Sequence, residues 1–109
     1  MSTTPAALAQ RQLDAYNAHD LDAFVACYAE DVVVLSGDEV AGRGRAFLRE
    51  RYTAQFAART CRADLLGRME AGEWAVDHEH AVGTSRGEAV LMVAYRVRGG
   101  LIDRVVFMS

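Results

Sequence analysis

The chain has little cysteine. Cys27 and Cys61 are the only two among its 109 residues, and they form no Cys-x-x-Cys spacing. A disulfide framework, a dithiol redox motif and a zinc knuckle are therefore not supported, and both residues read as small buried side chains. It has no large excess of one charge either. A net charge of -3 creates no broad field, so no nucleic-acid partner is expected. No apolar run is long enough to span a bilayer, and the opening Met-Ser-Thr-Thr-Pro lacks the basic and apolar segments of a secretory leader. The expectation is a cytoplasmic protein with no membrane partner. Internal repeats, low-complexity stretches and linkers are also lacking. One domain over residues 1–109 is expected, large enough to bury roughly two-thirds of its unfolded surface.

The single proline stands where it starts a helix. Thr4 supplies a capping hydroxyl and Pro5, at the first helical position, has no amide to lose. The first helix is expected to run to about Ala18, with Ala9, Leu13 and Tyr16 on its apolar stripe and Leu8, Gln12 and Ala15 beside it. Asp20 is placed to cap a second helix from Leu21 to about Ala29, burying Leu21, Phe24, Val25 and Tyr28. Val32-Val33-Val34-Leu35 is β-branched and short, hence a strand. Ser36 to Gly44 reads as a polar, glycine-rich loop. Leu48, Tyr52 and Phe56 recur at a spacing of four on a third helix, Arg45 to Ala58. From Cys61 the period changes to two, and four strands follow, separated at Ala71-Gly72, Gly83 through Gly87 and Gly99-Gly100. Helices segregated against one sheet make an α+β domain.

The helix-corner-helix-strand opening from Ala7 to Leu35, the V-D-H-E block at Val76 and the closing V-A-Y-R-V-R-G-G-L-I-D-R-V-V-F hairpin together resemble the SnoaL-like polyketide cyclases and steroid delta-isomerases of the nuclear-transport-factor-2-like superfamily. The resemblance implies a cone-shaped α+β fold, three N-terminal helices packed on a curved antiparallel sheet, with a pocket for a small molecule. It implies no single reaction, because this scaffold hosts many. In the steroid isomerases a carboxylate base acts with a tyrosine and a protonated aspartate that hold the oxyanion. Laid against that pattern, this chain has Ser36 at the base, Gln12 at the tyrosine and Val93 at the aspartate. All three groups are missing, and Asp38 reads as a solvated turn residue.

Alternation divides each predicted strand into two faces. Trp74, Val76, His78, His80 and Val82 share one face, which together with Leu91, Val93, Tyr95 and Phe107 is expected to line the cone. The other face mixes Val90, Met92, Ala94, Val106 and Met108 with Arg62, Arg68, Asp77, Glu79, Arg96 and Arg104. Such a face suits a homodimer interface, the partner that the resemblance also implies.

The expected site follows from these lists. His78 reads either as a general base or as a satisfied core histidine, and Arg51, on the inner stripe of the third helix, as an anion anchor or a side chain that reaches the cavity rim. Gln12, Tyr16, Tyr28, Trp74, Val76, His80, Leu91, Val93, Tyr95 and Phe107 complete the ligand-binding set. His78 and His80 lack a third inward ligand, so no metal is expected, and no cofactor. Two functions stand side by side: an isomerase, lyase or hydratase acting on a small apolar or enolisable ligand, and a ligand-binding or dimeric structural module without chemistry.

Overall fold

The computed structural model describes residues 3–108. The Thr4 hydroxyl accepts a hydrogen bond from the Ala7 amide and starts α1 (Pro5–Asn17), which buries Leu8, Ala9, Gln12 and Leu13. The Glu70 carboxylate accepts from the Ala6 amide at 2.7 Å, so a strand side chain holds the positive end of this helix. His19 turns the chain with a φ of 57°, and the Asp20 carboxylate caps α2 (Leu21–Ala26) through the Ala23 amide. This second helix stops earlier than its periodicity suggests, because β1 (Tyr28–Ser36) already starts at Tyr28.

Two further corrections concern the order and direction of the strands. Part of the expected glycine-rich loop is β2 (Glu39–Arg43), turned back on β1 at Gly37. The third helix, α3 (Gly44–Ala58), therefore follows two strands, and the helices are not all N-terminal to the sheet. β3 (Arg62–Ala71), β4 (Trp74–Thr84), β5 (Gly87–Arg98) and β6 (Leu101–Met108) complete one six-stranded sheet in the order β2-β1-β6-β5-β4-β3. Neighbours are antiparallel except β1 and β6, which pair in parallel through a long crossover. The helices cover one face. Leu8, Val25, Val32, Val34, Val93 and Ile102 are fully buried in the core there.

The register of the β4–β5 hairpin reverses the expected faces of β4. Residues directly opposite in a ladder share a face. Glu79 lies opposite Leu91 and Asp77 opposite Val93, both inward residues of β5, whereas His78 lies opposite Met92 and His80 opposite Val90. Ala75, Asp77, Glu79 and Ala81 are accordingly the buried set, and Trp74, Val76, His78 and His80 belong to the outer face. Small alanines at both ends of the inward row let α1 come close to the sheet. A fork of two hydrogen bonds from Arg68, Nε at 2.6 Å and Nη2 at 2.9 Å, neutralises Asp77, and Nη1 of the same arginine donates to Gln10 on α1. Arg68 was expected outside and is inside, through a register shift at Leu66. A second shift between Arg96 and Val97 turns Ile102 into the core.

Candidate functional site

A cavity of about 220 Å³ lies between the helices and the inner face of the sheet. Its lining divides by exposure into a buried end and a rim. Gln12, Tyr28, Glu79 and Tyr95 are buried, while Ser36, Ala41, Arg51, Ser85, Arg86 and Ala89 are exposed. The wall between them is apolar and aromatic. The ring of Phe24 lies 5.1 Å from Tyr28, 5.0 Å from Tyr52 and 5.3 Å from Phe56, in tilted and edge-on contacts.

The polar groups at the buried end form one directed network. The Tyr28 hydroxyl donates to Gln12 Oε1 at 3.2 Å, and Gln12 Nε2 donates both to the Ala9 carbonyl and, at 3.1 Å, to the Tyr95 hydroxyl. Tyr95 is thus an acceptor within the protein, and its own proton has no acceptor among the described residues. Burial pushes the pKa values of Tyr28 and Tyr95 well up, so both hydroxyls keep their protons. Tyr16, one turn after Gln12 on α1, accepts from Gln55 Nε2 of α3 at 2.9 Å.

Glu79 is the group that sequence reasoning missed. Its side chain is 6% exposed, lines the cavity and receives no hydrogen bond from any described residue. Burial, then the neighbouring Asp77 charge, push its pKa up from 4.5 to about 7, against a smaller opposing effect of Arg68. The carboxyl is therefore divided between its two protonation states near neutral pH. The pairing of β4 with the inward residues of β5 was the signal that could have found it. Gln55, Tyr52 and Arg86 were missed as well; only Tyr52 had a signal, its place on the apolar stripe of α3.

The expected site residues fall into two groups. Gln12, Tyr16, Tyr28, Arg51, Leu91, Tyr95 and Phe107 line the cavity. Trp74, Val76, His78 and His80 lie on the other side of the sheet, where His80 Nε2 meets Glu88 Oε2 at 2.5 Å, and the fully buried Val93 packs in the core. His78 and Arg51 consequently do not face each other. The Arg51 guanidinium is 5.4 Å from the ring centre of Phe107 and 5.8 Å from that of Tyr52, which holds it against the rim.

The family model described as SnoaL-like domain matches residues 9–105. No curated protein matches the chain. Among solved structures, a cystatin-fold protein from Novosphingobium aromaticivorans is 22% identical, with a TM-score of 0.86 over 97% of this chain and 98% of its own. Rv0760c from Mycobacterium tuberculosis, in complex with estradiol-17β-hemisuccinate, is 20% identical, with a TM-score of 0.80 over 100% and 95% of the two chains. A computationally designed 17-OHP binder is 20% identical, with a TM-score of 0.79 over 100% and 94%. At these identities the likeness is one of fold.

Proposed function

This chain belongs to the SnoaL-like domain family, and because a shared scaffold fixes no reaction we propose its function from its own cavity: it binds a small organic molecule and moves a proton on it. Glu79 carries this reading, as a buried carboxyl in the cavity lining with no hydrogen-bond donor among the described residues. A carboxylate kept near half-ionisation at neutral pH is matched to general acid–base work. In the step proposed, a C–H bond beside a ligand carbonyl breaks and its proton passes to the Glu79 carboxylate. A C=C bond forms as the electron pair moves to the carbonyl oxygen, which the O–H of Tyr95 stabilises. In a ligand with a neighbouring C=C bond the electrons flow back to its far carbon, which takes the proton from Glu79 and gives the conjugated isomer. Neither an oxidant nor a cofactor enters the balance.

The ligand is small. A cavity of about 220 Å³ lies below the roughly 300–1,000 Å³ of pockets for drug-sized molecules, which favours a one- or two-ring occupant. Deuterium exchange at C1 of 2-tetralone, followed by proton NMR in deuterium oxide, tests the reading. The protein should accelerate exchange over buffer, with a rate that rises with pH and levels off above about 7, as Glu79 ionises. Glu79→Gln should lower the protein-dependent rate by about a hundredfold or more. Equal rates in both proteins would remove Glu79 from the chemistry.

The outer sheet face supports the dimeric part of the reading. Met69, Val90 and Met92 are exposed there beside the partly buried Val76 and Val106, an apolar patch of the kind that marks a contact surface. A second copy of this chain is the occupant proposed.

A further inference from the structure

Resting on the reading of the cavity as a ligand site, we propose that its ligand is a carboxylic acid whose carboxylate docks between Arg51 and Arg86 at the rim while its ring body lies inward. The chain has twelve arginines and no lysine, and at least six of the arginines are engaged within the protein. Arg49, Arg62, Arg68, Arg96 and Arg98 pair with carboxylates, and Arg45 donates to the Tyr28 carbonyl. Arg51 and Arg86 line the cavity, and neither forms an ion pair with a described residue.

Arg51 on α3 and Arg86 in the β4–β5 turn both line the cavity, and a hydrogen bond joins the elements that carry them. Gln55 lies one turn after Arg51 on α3, hence on the same helix face. Its Oε1 accepts from the Ser85 amide at 3.3 Å, which seats the β4–β5 turn, and Arg86 with it, against that face. Stacking near Phe107 and Tyr52 keeps the Arg51 fork at the rim in place of extending into water, so less freedom is lost when an anion binds. The turn between β1 and β2 carries Asp38 and Glu39, and neither forms an ion pair with these arginines. A positive rim on a chain of net charge -3 runs against the overall field, and the apolar walls behind it focus that charge on the entrance. Glu79, the only carboxyl in the lining among the described residues, is at the buried end, so a bound acid has one orientation that keeps it from this like charge.

The probes are 2-naphthoate and 2-naphthamide, which share a two-ring body and differ in charge. Calorimetric titration at about pH 7.5 should show the carboxylate bound about tenfold or more tightly than the amide. Arg51→Met and Arg86→Met should each reduce that preference several-fold and the double variant should abolish it, while amide binding changes little. Equal affinities in the wild type, a preference that survives the double variant, or no saturable binding of either probe would overturn the proposal. Glu79→Gln separates it from the proton-transfer reading. A carboxylate preference retained in Glu79→Gln supports the rim site whether or not that variant exchanges protons, and Glu79-dependent exchange with equal naphthoate and naphthamide affinities leaves the chemistry standing and removes the rim site.

Discussion

Asp77 and Glu79 are two carboxyls of one strand, two residues apart and pointing to the same side, yet their surroundings give them opposite roles. Arg68 saturates Asp77 with two hydrogen bonds, whereas Glu79 has an apolar cavity before it and the Asp77 charge behind it. The cost of ionising Glu79 in the folded state fixes a direction for stability against pH. Its folded pKa is raised from 4.5 to about 7, so between those values the folded chain binds more protons than the unfolded one. The favourable contribution of the protonated group is complete below about pH 4.5 and is lost as pH rises through about 7. At 1.36 kcal/mol for each unit, the loss reaches roughly 3 kcal/mol on the alkaline side. Glu79→Gln cannot ionise and should therefore be the more stable protein at about pH 8, by up to roughly 3 kcal/mol, with the difference closing toward about pH 4.5. Urea unfolding at both pH values measures it. A difference that is constant with pH would mean that Glu79 carries no raised pKa.

Strand β4 shows at the scale of an element what the sequence disclosed and what it withheld. The α1 cap at Thr4-Pro5, the α2 cap at Asp20 and the three turns between the last four strands are local signals, and each element lies close to where those signals put it. Which side of β4 faces the helices is not local. Trp74, Val76 and the two histidines make the bulkier alternate row, and bulk alone assigns them inward. The hairpin register decides otherwise, and the charged row becomes the inner one because Arg68 on β3, itself held by Gln10 on α1, is there to receive Asp77. A long-range partner of this kind leaves no trace in the spacing of β4 itself. β2 was hidden for a related reason, since its pairing with β1 comes from the turn at Gly37 and not from apolar alternation. The end of β4 is fixed at Gly83, whose φ of +65° suits glycine and where a Cβ would lie 1.9 Å from the Thr60 carbonyl oxygen. Gly83→Ala should destabilise the fold by about 2 kcal/mol or more, through the contact and the left-handed conformation together. Denaturant unfolding checks this, and a loss under about 0.5 kcal/mol would show that β3 and β4 move apart freely at that point.

The cavity and the proposed dimer face lie on opposite sides of one sheet, and that separation makes each proposal testable without disturbing the other. The inner face carries Glu79, Tyr95 and the cavity, while the outer face carries Met92 opposite both His78 on β4 and Met108 on β6, at the centre of the exposed apolar patch. If two copies meet through this patch, light scattering at micromolar concentration should give a mass near twice the 11.9 kDa of one chain. Met92→Glu then puts a carboxylate into each half of a two-fold contact, near its own symmetry mate, where like charges repel and desolvation is unfavourable. The variant should scatter as a single chain. Because Met92 is half exposed in one copy and points away from the helices, the substitution removes little from the core, and the isolated chain should remain folded. Proton exchange and naphthoate binding should persist in it, since none of the described outer-face residues lines the cavity. A wild-type mass of one chain would remove the interface. A Met92→Glu monomer that has lost the cavity functions would show instead that the second copy holds the sheet, and through it the cavity, in shape.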